Sequence, residues 1–118
     1  MYNVQSSTSF RGLDYTNVMT VDRENFIKKN LSALQMLGDN YDIRMTSTYA
    51  DVPGMRAIDI DVRPLKKGLN FIQKLFRPIG RATFQADIAS AEQAEKSSIV
   101  LSVEDAIINL GKKLARRK

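Results

Sequence analysis

Tyr41-Asp42-Ile43-Arg44-Met45-Thr46-Ser47-Thr48-Tyr49 is followed by Asp51-Val52-Pro53-Gly54 and then by Ala57-Ile58-Asp59-Ile60-Asp61-Val62-Arg63. In the first run Tyr41, Ile43, Met45, Ser47 and Tyr49 alternate with polar residues, and in the second Ile58, Ile60 and Val62 alternate with Asp59, Asp61 and Arg63. A period of two puts each set on one face of a strand. Pro53 presets the first central dihedral of the turn between them, and Gly54 accepts a positive one. The reading is an antiparallel hairpin with one apolar face that other elements must cover.

The cover is found on either side. Upstream, Phe26, Ile27, Leu31, Leu34 and Leu37 recur at helical spacing, which predicts a helix over 22–37. Asp22 is placed as its N-cap, Val21 and Phe26 as a hydrophobic staple, and Gly38 as a left-handed stop. Before it, residues 15–20 have strand composition, and residues 1–13 fit a short strand or an ordered tail. Downstream, Ala82, Phe84, Ala86 and Ile88 alternate as a further strand, a polar turn covers 91–96, and Ser97–Leu101 reads as a short strand. Ser102 with Asp105 then opens a final helix over about 103–116, its apolar face formed by Val103, Ala106, Ile107, Leu110 and Leu114. Glu104 and Asp105 would favour the positive end of that helix, and Lys112, Lys113 and Arg116 its negative end.

This order predicts one α+β domain over 1–118: a mostly antiparallel sheet of four to six strands, two main helices on one face, and a short amphipathic helix in a strand connection. A chain of 118 residues with 43% hydrophobic residues can close such a core without staples.

The connection is Lys66-Lys67-Gly68-Leu69-Asn70-Phe71-Ile72-Gln73-Lys74-Leu75-Phe76-Arg77-Pro78-Ile79-Gly80. Leu69, Ile72, Leu75 or Phe76, and Ile79 fall near helical spacing, while Lys66, Lys67, Lys74 and Arg77 carry charge. A helix so short is marginal alone, so its apolar side needs a cover: this domain's own core, a partner subunit or an anionic membrane surface. Lys66, Lys67, Phe71, Lys74, Phe76 and Arg77 are the candidate partner-binding residues, because aromatic anchors bury large area at small entropic cost.

Charge is distributed unevenly along the chain. The 18 Lys and Arg against 13 Asp and Glu give +5, yet residues 62–86 hold six basic and no acidic residues, and 111–118 hold five more basic ones. The remainder carries seven basic against thirteen acidic residues, a net of −6. Such two-sidedness attracts phosphates, acidic lipid or an acidic partner through fields that salt screens over about 8–10 Å.

Cys and His are both absent, which removes thiolate and imidazole metal sites, cysteine nucleophiles and His-based triads. The glycines are too dispersed for a phosphate loop. Asp59 and Asp61 share the strand face opposite Ile58 and Ile60, where solvent is their expected surrounding. No catalytic constellation, metal site or cofactor is expected. Nucleic acid is the weaker alternative to a protein partner, supported by the basic blocks and by Phe71 and Phe76 as stacking groups, but without a recognition motif. Neither a membrane span nor a signal peptide is legible.

Gly80-Arg81-Ala82-Thr83-Phe84-Gln85-Ala86-Asp87-Ile88, a polar turn, and then Val103-Glu104-Asp105-Ala106-Ile107 with Leu110-Gly111 and Leu114-Ala115 resemble the ending of small bacterial envelope lipoprotein domains. The resemblance covers roughly 35 residues. It implies a strand, a hairpin and a last helix in a domain that serves assembly of an envelope complex rather than catalysis. It also implies a periplasmic or envelope setting in preference to the cytoplasm, although the chain holds no cysteine to bear a lipid. The expected function is a non-enzymatic interaction or assembly domain that binds a protein partner or a further copy of itself through the basic segment.

Overall fold

The alternation of residues 41–63 becomes two long paired strands at the centre of a five-stranded sheet. The computed structural model describes residues 9–10, 12–50, 53–65, 77–87 and 98–116. In chain order these form β1 (Ser9–Phe10), β2 (Leu13–Asn17), a helical region, β3 (Tyr41–Tyr49), β4 (Met55–Pro64), β5 (Gly80–Asp87) and a long final helix. The sheet order is β1-β2-β3-β4-β5. All neighbours are antiparallel except β2 and β3, which are parallel because the helical region between them carries the chain back along the sheet. The fold is therefore α+β with a mostly antiparallel sheet. Gly54 takes the expected positive φ, 85°, in the turn between β3 and β4.

One face of the sheet forms the core. Ile43 opposes Val62, Met45 opposes Ile60, and Ile58 opposes Phe84, so the register aligns three strands' apolar sets. Both helical layers close on that face: Phe26, Ile27 and Leu34 from the first, Ile99, Val103, Ala106 and Leu110 from the last. Phe26 meets Phe84 edge-on, with ring centroids 5.0 Å apart.

The first helical region differs from the helix expected over 22–37. It runs through α1 (Thr20–Asp22), a wide π-type turn over Arg23–Ile27, a tight 3-10 turn over Lys28–Asn30, and α2 (Leu31–Gly38). The wide turn lets the consecutive residues Phe26 and Ile27 both enter the core. Asp22 is not the N-cap; Met19 holds that position without a side-chain bond. Val21, expected as a staple, is exposed within α1.

The Asp22 side chain crosses instead to the sheet, fully buried. Arg56 Nε donates to its Oδ1 at 2.9 Å and Nη2 to its Oδ2 at 3.0 Å, while Ser47 Oγ donates to Oδ2 at 2.6 Å. Met19 N in turn donates to Ser47 Oγ at 2.8 Å. The hydrogen-bonded carboxylate of Asp22 raises the Arg56 pKa above its ordinary value. α1, β3 and β4 are thereby joined through one buried charge.

Gly38 was expected to stop its helix in a left-handed conformation. It is the last residue of α2, and its lack of a side chain serves close packing: a Cβ there would lie 3.1 Å from Leu13 Cβ. The final helix, α3 (Ser98–Arg116), begins five residues before the expected start. Ser98–Leu101 is thus helical rather than the strand expected over 97–101, and Ser102 with Asp105 lies inside the helix, not at its cap. The spacing of Ile99, Val103, Ala106 and Leu110, all buried, explains why: it continues the helical face by one further turn. The expected short helix in the 66–80 segment, bounded by Gly68 and Pro78, falls on residues 66–76 outside the described residues; from Arg77 to Ile79 the chain is not helical, and Gly80 opens β5, because it is seated against the α3 backbone. The turn expected over 91–96 also lies outside the described residues.

α3 also covers the outer strand of the sheet. A Cβ on Gly80 would come within 2.1 Å of Ala106 O and 2.5 Å of Leu110 N, so β5 starts directly against the helix backbone. Two α3 side chains one turn apart reach strand-side carbonyls: Asn109 Nδ2 donates to Arg81 O at 2.8 Å and Lys113 Nζ to Ile79 O at 2.6 Å.

Two outcomes check this packing by urea denaturation. Gly80→Ala is expected to lose about 3 kcal/mol through the forced shift of α3, whereas Gly111→Ala, with nothing near its Cβ, gains up to about 1 kcal/mol of helix propensity. Asp22→Ala is expected to lose about 3–5 kcal/mol because Arg56 loses its partner, and Asp22→Leu combined with Arg56→Met recovers much of that loss.

Candidate interaction surface

The two faces of the molecule differ in how completely their side chains are matched. On the open face of the sheet, register aligns Asp14, Arg44, Asp61 and Arg81 across β2, β3, β4 and β5. Arg44 lies 3.9 Å from Asp14 and Arg81 3.5 Å from Asp61. Partial burial pushes the Asp14 carboxyl up, but bonds from the Thr16 hydroxyl and amide, together with Arg44, outweigh it and hold the pKa below the ordinary value. Asp59 accepts a bond from Thr83 Oγ1 at 3.2 Å. Asp59 and Asp61 thus lie on the face read from the sequence. Among the described residues no group of three or more carboxylates could hold a metal ion.

β4 and β5 are antiparallel neighbours, and the stretch that joins them starts from a clasped stem. Arg77 Nη1 donates to Asp42 Oδ2 and, at 2.7 Å, to Pro64 O. The strand that leaves the sheet at Pro64 and the chain that returns at Arg77 are therefore tied together beside the start of β3. The Arg77 side chain is only 11% exposed. Of the six residues proposed from sequence as partner contacts, Arg77 is engaged within the fold; Lys66, Lys67, Phe71, Lys74 and Phe76 lie outside the described residues.

Beside this stem is a cationic cleft of about 430 Å³ lined by Arg77, Pro78, Ile79, Arg81, Lys113 and Arg116. The chain's two basic blocks, distant in sequence, meet here because Gly80 seats β5 on α3. Lys113 and Arg116 also stand in the last turn of α3, where positive charge is favoured.

A second concavity lies between α2 and α3. Leu37 and Tyr41 form one wall, Leu101, Ile107 and Ile108 the other, and Glu104 and Asp105 the rim, enclosing about 520 Å³. The α3 residues facing the sheet are sealed, yet Leu101 is 56% and Ile108 55% exposed. Glu104 and Asp105 are the surface residues the sequence reading misplaced: with α3 starting at Ser98, they stand beyond its first turn, where the positive helix end no longer accounts for them. Tyr41 belongs to this groove and also pairs with Pro64, so the groove borders the stem.

Among the described residues no helix is long and apolar enough to cross a membrane. The chain matches no protein family, no curated protein and no solved structure. The class that the fold defines is a two-layer α+β domain that carries an apolar, acid-rimmed groove beside a clasped stem.

Replacing Arg77 by Gln is expected to leave the core intact but loosen the stem, at a cost of about 1–3 kcal/mol for a bond to a charged group. Hydrogen exchange checks it: amides of the Val62 and Gly80 pair should exchange faster, while those of Ile43 and Leu110 keep their protection.

Proposed function

We propose that this chain is a non-enzymatic interaction or assembly domain that meets a protein partner through the basic segment between β4 and β5. In this reading the binding residues of the segment are Lys66, Lys67, Phe71, Lys74 and Phe76. Arg77 contributes from the stem instead of touching the partner. The observation that carries the reading is the clasp of Arg77 onto Asp42 and Pro64 O, which ties together the described residues on either side of that segment. Antiparallel neighbours commonly need two to five connecting residues. Here residues 65–79 intervene, and long connections inside compact domains are mostly functional. The core cluster meanwhile draws on the sheet and both helical layers. A secured base beneath an apolar, cationic stretch suits display to another molecule. The likeness to envelope lipoprotein domains makes a bacterial envelope or secretion complex the proposed setting.

The cationic cleft of Arg81, Lys113 and Arg116 supports nucleic acid as a second reading, in which those side chains neutralise phosphates.

The double variant Phe71→Ala, Phe76→Ala tests the first reading by thermal unfolding of the monomer. The expected change is under about 1 kcal/mol, a shift of less than about 4 °C for a domain of this size. A much larger loss would mean that the rings belong to the domain's own core and would overturn the reading. Titration with DNA and RNA at several salt concentrations decides the second: affinity falling linearly on a log–log salt plot supports it, and absence of binding removes it.

A further inference from the structure

We infer that the groove between α2 and α3 receives the 66–76 segment of a second copy of this chain, so that two copies exchange segments and close as a symmetric pair. This inference rests on the proposed reading of that segment as the binding element and names its partner.

Three observations lead there. First, among the described residues nothing covers the groove. Leu101 and Ile108 stay more than half exposed on a helix whose Ile99, Val103, Ala106 and Leu110 are sealed. Leu37, Tyr41 and Ile107 complete an apolar trough with room for more than one large side chain. Second, the rim has the opposite charge to the segment. Glu104 and Asp105 border the trough, and residues 62–86 contain no acidic residue, with Lys66, Lys67 and Lys74 placed among Leu69, Phe71, Ile72, Leu75 and Phe76. Apolar anchors in a trough with opposite charge at its margin give both affinity and register.

Third, donor and acceptor lie side by side on the same chain. Tyr41, which lines the trough, pairs with Pro64, from which the segment departs, and Asp42 holds Arg77, by which it returns. A patch that contains both halves of a complementary contact is suited to a two-fold axis, because each copy then gives and receives at once and the assembly closes instead of propagating. The uneven charge of the chain, +6 over 62–86 against −6 over the remainder outside both basic blocks, favours the encounter.

The absence of native cysteine makes crosslinking specific. Chains bearing Phe71→Cys are mixed with chains bearing Ile108→Cys and oxidised. The expected product is a covalent pair of the two variants, and a Thr83→Cys chain, altered on the open sheet face, should not replace the Ile108→Cys chain. In sedimentation equilibrium the unmodified chain is expected to dimerise. Glu104→Lys with Asp105→Lys should weaken that dimer at least tenfold, as should Lys66→Glu with Lys67→Glu and Lys74→Glu. A mixture of the two reversed chains should recover it. Leu101 and Ile108 are exposed, so Leu101→Asp with Ile108→Asp gives an independent disruption that spares the core.

A chain that stays monomeric overturns the inference, as does a dimer insensitive to the rim and trough variants. If Phe71→Cys and Ile108→Cys placed in one chain join only within that chain, the trough holds its own segment and the second copy is excluded. Failure of the underlying reading is distinguished by the Phe71→Ala, Phe76→Ala variant. A large loss of monomer stability removes the binding role itself, whereas retained stability in a chain that does not associate removes only the second copy.

Discussion

The buried carboxylate of Asp22 is the constraint on which the arrangement of the layers depends. A charge withdrawn completely from water is tolerated only when its oxygens are fully occupied, and here Arg56 and Ser47 occupy them from two different strands. The price is geometric. α1 must sit over the Ser47 and Arg56 end of the sheet, and the wide turn over Arg23–Ile27 then brings Phe26 and Ile27 inward together. Arg23 secures the same junction by donating Nε to Val18 O and Nη2 to Thr16 O, each at 2.8 Å, across the exit from β2. Asn30 Nδ2 donates to Phe26 O at 2.8 Å, which occupies a carbonyl in the irregular part of the helix.

With the layers fixed in this way, the two surfaces acquire different characters. The open sheet face alternates charge along the row from Asp14 to Arg81, so each ion of that row has an opposite neighbour. Exposed pairs of this kind contribute little stability, but they leave a face with few unmet interactions. The helical face is the reverse. Its trough exposes hydrocarbon and sets carboxylates around it, an arrangement that water serves poorly and a cationic amphipathic segment serves well.

Much of the fold was legible because local chemistry and tertiary demand agreed. The alternation in 41–49 and 57–63, with Pro53-Gly54 between, determines a hairpin whose register then aligns Ile43, Met45, Ile58, Ile60 and Val62 by geometry alone. Where they disagreed, the reading failed. Ile99-Val100-Leu101 has the β-branched composition of a strand, and only its continuity with Val103, Ala106 and Leu110 marks it as helical; short apolar runs carry both signals. Asp22 has the residue type of a cap, but Arg56 is 34 residues away and leaves no local trace. The parallel pairing of β2 with β3 is equally invisible to periodicity. At the surface, the insertion was legible from its length and composition, whereas the clasp of Arg77 was not, since Asp42 stands 35 residues earlier. The trough escaped notice because its walls come from residues 37–41 and 101–108, and because a helix start set too late gave Glu104 and Asp105 a local explanation.

The contacts from Asn109 and Lys113 to the carbonyls of Arg81 and Ile79 bear on how this chain behaves when crowded. An outermost strand with free carbonyls is a template for runaway stacking of β-ribbons into fibres. Two side chains from a neighbouring helix occupy carbonyls at its start, Asn109 that of Arg81 within β5 and Lys113 that of Ile79 just before it. Where the chain enters β5, then, a further strand would have to displace two side chains of α3 before it could pair with these carbonyls.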